Sequence, residues 1–205
     1  MKHAFATLVL LLSSVAPVVA QTWQVTAEKV AKSIVYLEMD GPDAEPSGSC
    51  TGITIDKEVV LTAAHCYTPS MRASGIPITK VLFRDTKYDL LVLSVEKLDS
   101  EIMALASENP KVGQEVASYG YGYGLEIPLF RISHISADKV VAPEVGIGGP
   151  YLVIDAAFVG GQSGGPVFNL MGEIVMIVQM GTDRVGIGRG VEALRDKIGK
   201  YAAQK

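Results

Sequence analysis

From residue 51 onward the chain offers short β-branched and apolar runs separated by turn-forming residues, at 51–55, 59–62, 80–83, 90–95, 115–119, 151–154, 166–169 and 173–179. Runs of this length, bounded by Gly, Pro, Asp and Lys, predict strands rather than helices, and their number predicts an all-β barrel or sandwich. Upstream, 26–32 suits a short helix, 34–37 a strand, and the polar stretch 41–49 a loop. A 3.6-residue period emerges clearly only at the end. There Val191, Leu194, Ile198 and Tyr201 share one face and predict a packed terminal helix. No internal repeat or low-complexity tract interrupts this pattern.

The first twenty residues follow another rule. Lys2 and His3 precede an apolar run at 4–12, and Val18, Val19 and Ala20 stand before polar Gln21. That is the form of a cleaved secretory signal, which leaves 21–205 as the folded domain. An uncleaved anchor is the alternative, but Ser13, Ser14 and Pro17 break the run short of the ~20 apolar residues a spanning helix needs. The expected location is therefore secreted or periplasmic, with no membrane anchor after cleavage. The net charge is −4, and −5 without Lys2, with no long block of one sign, which argues against a nucleic-acid partner. About 185 residues suit one domain or two small lobes.

Cys50 and Cys66 are the two cysteines, and export would place them where disulfides form. A turn at Asp56, Lys57 and Glu58 in the hairpin 51–62 would return Cys66 toward Cys50. The other readings are buried free thiols or a partial metal site completed by His65, although structural zinc usually takes four Cys or His ligands. No metal or other cofactor is expected.

Three separated segments carry chemistry: Leu61-Thr62-Ala63-Ala64-His65-Cys66, Tyr88-Asp89-Leu90-Leu91-Val92-Leu93 and Gly160-Gly161-Gln162-Ser163-Gly164-Gly165-Pro166. Acyl transfer needs a hydroxyl nucleophile, an imidazole to move its proton and a carboxylate to orient the imidazole. Singly, each residue reads as a turn serine, a structural histidine or a capping aspartate. Together and in this order they predict a triad of His65, Asp89 and Ser163. The glycines around Ser163 permit a tight turn whose Gly161 and Ser163 amides could hold an oxyanion. Asp85 competes for the carboxylate role, but Asp89 directly precedes the apolar run that would hold it rigidly. His134, in the short strand-like stretch 131–136 between polar residues, reads as surface or structural.

These segments resemble the trypsin and chymotrypsin superfamily of serine proteases. Val112-Gly113-Gln114, Ile154-Asp155-Ala156-Ala157 and Gly186-Ile187-Gly188 further resemble its Deg, or high-temperature-requirement, branch. The resemblance implies two packed six-stranded antiparallel β-barrels, chymotrypsin-like, with a C-terminal helix and the triad between the lobes. It implies polypeptide substrates and a primary specificity pocket walled by Ala157, Phe158, Gln179, Met180 and Gly181. Ala157 stands where a trypsin-like member has aspartate, and Phe158 would narrow the pocket. Cleavage after small or medium apolar residues is therefore expected, because an unpaired substrate cation would be costly to bury. Asp155 has a counterpart in the Deg motif, which suggests a structural role. Neutral Gln162 replaces the acid that pairs with a newly cut N-terminus, so no second activating cut is expected, and no room remains for an appended peptide-binding domain. The competing readings are an inactive homologue, a chaperone-like factor binding unfolded polypeptide, and an esterase. The His, Asp, Ser order and the strand-like run after Pro166 oppose the α/β-hydrolase arrangement an esterase would use. Oligomeric state is not legible.

Overall fold

A computed structural model of the chain describes residues 21–40, 46–141 and 148–203. The predicted signal at 1–20 and most of the predicted loop 41–49 lie outside them. From residue 46 that loop is already strand.

The first lobe contains β1 (Ile34–Asp40), β2 (Pro46–Asp56), β3 (Val59–Thr62), β4 (Arg72–Ala73), β5 (Ile76–Pro77), β6 (Lys80–Asp85) and β7 (Leu90–Ser94). They form a curled sheet in the order β5-β4-β1-β2-β3-β7-β6, antiparallel throughout. The second lobe contains β8 (Glu115–Tyr121), β9 (Pro128–Val140), β10 (Tyr151–Ile154), β11 (Pro166–Phe168), β12 (Ile174–Gly181) and β13 (Gly186–Gly190). These six close a barrel in the order β10-β13-β12-β11-β8-β9. The second lobe is thus the expected six-stranded barrel, while the first is a half-barrel lengthened by two very short edge strands.

Strand β7 explains how the lobes share a core. Successive side chains of a strand point to opposite faces. Leu91 and Leu93 enter the apolar cluster inside the curled sheet, with Val35, Leu37, Val60 and the two cysteines. Leu90 and Val92 enter the larger cluster that continues through the second barrel. Both faces are covered, so the run is apolar at every position rather than at alternate ones.

The terminal segments strap the lobes together. Helix α1 (Trp23–Ala31) starts three residues before the prediction, because the Thr22 hydroxyl caps it by accepting from the Val25 amide. Trp23 packs edge-on against Phe168 of β11. Helix α2 (Val191–Ile198) buries Val191, Leu194 and Ile198 as predicted. The 3₁₀ turn Gly199–Tyr201 then carries the Tyr201 hydroxyl to the Leu82 carbonyl of the first lobe at 3.0 Å. Among the described residues no helix is long and apolar enough to cross a membrane.

Two strands lie outside the predicted apolar runs, although 131–136, within the first of them, already read as strand-like. β9 spans thirteen residues, of which only Ser133 and Ile135 are fully buried, so its solvent-facing side erases the alternation. β13 reads Gly-Ile-Gly-Arg-Gly, poor in β-formers, yet Gly188 is required where a Cβ would come within 1.9 Å of the Ile177 carbonyl oxygen.

Candidate active site

His65 lies in a single 3₁₀ turn, Ala64–Cys66, directly after β3. Cys66 is bonded to Cys50 of β2 across sixteen residues, so the turn is covalently tied to its neighbouring strand. A His65 nitrogen lies within 4.8 Å of both sulfurs. Joined to each other, those sulfurs are not the thiolates a soft metal requires.

Asp89 is placed at the loop end of β7 with φ +53°, a left-handed conformation that aspartate tolerates better than most residues. This geometry turns its carboxylate back onto His65. One oxygen accepts the His65 backbone N–H at 2.9 Å and the other meets Nδ1 at 2.8 Å. A carboxylate in its ionised form only accepts hydrogen bonds, so this contact favours the neutral imidazole tautomer with its proton on Nδ1, in which Nε2 is an acceptor. Asp89 is buried while the imidazole is about half exposed, with side-chain accessibilities of 6% and 48%. The imidazole thus faces solvent and the carboxylate that holds it does not. Asp85 has a different task, since one of its carboxylate oxygens accepts the backbone amides of Lys87 and Tyr88, both at 2.9 Å, and closes the β6–β7 turn.

Ser163 sits in the turn before β11, pressed against both lobes. Its carbonyl accepts the Thr51 amide at 2.8 Å. The next residue, Gly164, has φ +83°, and a Cβ there would lie 2.1 Å from the Thr62 hydroxyl and 2.9 Å from the Ala63 amide nitrogen. The serine turn is therefore packed on the residues just before His65. Within this turn the amides of Gln162, Gly164 and Gly165 are committed to the carbonyls of Val159, Val178 and Gln162. Those of Gly161 and Ser163 have no protein acceptor among the described residues. Gly161, at φ +100°, is bent into this path. A groove of about 670 Å³ opens beside it, lined by Tyr36, Met39, Ser49, Tyr123, Gly160 and Gly161.

Thr51 carried no signal in the sequence and proves to be the organising residue of this turn. Fully buried, it donates its hydroxyl to the Gly161 carbonyl at 2.8 Å and accepts the Tyr121 amide on the same oxygen at 2.9 Å. Gln162 is buried as well, and its side-chain carbonyl accepts the Val159 amide at 3.0 Å. The turn is thereby closed on itself without an ion pair.

The predicted pocket residues separate. The Ala157 carbonyl receives the Arg131 guanidinium. Phe158 is buried and lies across Gly186 and Gly181, where a Cβ would approach it to 2.0 and 2.5 Å. Met180 and Gly181 form the outer end of β12, half-buried and exposed. Gln179 instead directs its buried carboxamide toward the aspartate segment, donating to the carbonyls of Tyr88 at 2.6 Å and Asp89 at 2.9 Å. His134 is half exposed, and two carboxylates flank it, Asp155 at 3.3 Å and Glu115 at 3.9 Å. Antiparallel pairing of β9 with β8 and β10 brings these distant residues alongside it.

A half-barrel and a closed barrel, with a carboxylate-bound histidine and a glycine-flanked serine at their junction, define the chymotrypsin-type β fold. The trypsin-like peptidase domain matches residues 50–177, from Cys50 past Ser163. The chain belongs to that family. It is similar to a probable periplasmic serine endoprotease, DegP-like, of Halomonas elongata, with 36% identity over 94 residues, covering 45% of this chain and 19% of that protein. Serine protease HTR4 of Bos taurus is 27% identical over 196 residues, covering 86% of this chain and 40% of that protein. This chain thus spans well under half the length of these relatives. Among solved structures, the Rv3671c protease of M. tuberculosis in its active form superposes with a TM-score of 0.77 at 21% identity, covering 97% of this chain and 96% of that one. A serine endoprotease from Yersinia pestis gives 0.70 at 19% identity, covering 89% and 67%. At these identities the structures speak for the fold.

Proposed function

We propose that this chain is a secreted serine endopeptidase that works through Ser163, His65 and Asp89. The observation that carries the reading is the His65–Asp89 contact of 2.8 Å, which leaves Nε2 as an acceptor beside a turn holding two uncommitted amides. Ser163 Oγ attacks the peptide carbonyl carbon as its proton passes to His65 Nε2. The carbonyl oxygen, now an anion, takes the amides of Gly161 and Ser163. His65 returns the proton to the leaving amine, and water, deprotonated by the same nitrogen, releases the acyl group and restores the serine. Asp89 stays ionised throughout and stabilises the imidazolium.

Phe158 fills the space between Gly181 and Gly186, and no acid stands at position 157, which supports cleavage after small or medium apolar residues. The closed Gln162 turn supports activity without a further N-terminal cut. The apolar run at 4–12, the Cys50–Cys66 bond and a relative described as periplasmic support export.

The test is incubation of residues 21–205, and of the Ser163→Ala form, with a fluorophosphonate probe, unfolded casein and a peptide library. Labelling and cleavage confined to the unaltered protein, with small apolar residues before the cut, is the expected result. Folded protein that does neither would instead mark a binding homologue. A profile dominated by Lys or Arg would overturn the specificity.

A further inference from the structure

The largest fully buried side chain of the second barrel is a cation. Arg189 of β13 has no accessible surface, and among the described residues no carboxylate lies within ion-pair distance of it. Its strand neighbours are glycines, and β12 beside it buries an apolar run from Ile174 to Val178. An aliphatic residue would suit such a place better, because burying an unpaired charge is costly. The guanidinium is instead held between the rings of Tyr151 and Tyr88, 4.7 and 5.0 Å from their centroids. It donates to the Pro150 carbonyl at 2.8 Å and reaches the Tyr88 carbonyl at 3.5 Å. Burial pulls its pKa below the ordinary arginine value, opposed by Tyr151, Tyr88 and the Asp89 charge.

Two of these four contacts, the ring and the carbonyl of Tyr88, meet the Gln179 carboxamide at one place. The Tyr88 carbonyl, which also accepts Gln179, is the last group before the left-handed residue that holds His65. We propose that Arg189 is a positioning residue for the triad: with Gln179 it clamps the Tyr88–Asp89 segment of the first lobe to strands β12 and β13 of the second. The clamp places the Asp89 carboxylate from behind, so that the His65 geometry depends on the seating of the two lobes. Arg189 touches neither substrate nor His65, and the inference rests on the triad reading given above.

The test is a double-mutant cycle of Arg189→Met and Asp89→Asn, read with a fluorogenic peptide and with fluorophosphonate labelling. Arg189→Met is expected to lower kcat on the order of 100-fold, leave KM unchanged and add no further loss in the Asp89→Asn background. An equal loss in both backgrounds, or none in either, would overturn the proposal. If the Met form does not fold, as judged by thermal melting, Arg189→Lys carries the same cycle, since it retains the charge but not the two-point hold. The low-field proton of the His65–Asp89 bond supplies a readout free of turnover. It should shift or broaden in ¹H NMR of the Arg189 variant. That readout separates the two possible failures, because a protein that never labels but whose proton moves defeats the protease reading alone.

Discussion

Asp89 and Asp85 differ by four positions and by nearly everything else. Asp89 is buried and grips His65 twice, through the backbone amide and the ring. Asp85 caps a turn. Replacing Asp89 by Asn keeps the shape but offers an amide group where an acceptor is needed, which favours the wrong imidazole tautomer. Turnover is expected to fall roughly 10,000-fold, whereas Asp85→Asn should cost little; kcat of the two purified variants on one peptide substrate decides this. The direct attachment of Asp89 to a hydrophobic run is the sequence signal for the aspartate that meets His65. The contributions of Gln179 and Thr51 were not legible, because a buried glutamine and a strand threonine look like many others until their partners are in place.

At the scale of the element, the turn before β11 is built by exclusion. Gly164 combines a positive φ with a Cβ position 2.3 Å from the Thr51 carbonyl oxygen, so a side chain there is both strained and blocked. Gly164→Ala is expected to destabilise the fold by roughly 2–5 kcal/mol. It should also slow fluorophosphonate labelling, with a thermal melt measuring the first effect and a labelling time course the second. The hairpin of β2 and β3 provides the opposite case, since a covalent bond reinforces it. Opening the Cys50–Cys66 link, whose ends are sixteen residues apart, removes about 3 kcal/mol of chain-entropy stabilisation. For a chain of this size the double Cys→Ser form should melt roughly 6–12 °C lower.

Across the whole molecule, the candidate site exists only where two lobes meet. His65 and Asp89 belong to the half-barrel and Ser163 to the closed barrel. Polar connections cross the junction beside them, among them Thr51 to Ser163, Thr51 to Gly161, Gln179 to Asp89 and Arg189 to Tyr88. Helix α1 packs on the second lobe, and Tyr201 with its 3₁₀ turn returns to the first. Loosening the junction should thus reduce catalysis before it unfolds either lobe. The Arg189 cycle measures this directly.

By itself the sequence determined the chemical types, their order, the short-strand architecture, the terminal helix face and the one pair of cysteines available for a disulfide. All of these follow from local signals: alternation, turn residues, and glycines beside a serine. Tertiary structure alone decided which amides stay uncommitted around Ser163, that β9 and β13 complete the barrel, and that Thr51, Gln179 and Arg189 brace the site. The bracing contacts of Gln179 with Asp89 and of Arg189 with Tyr88 join residues ninety or more positions apart. A chain's local pattern records what each residue is, whereas burial and hydrogen-bond partnership are set only when the lobes close on one another.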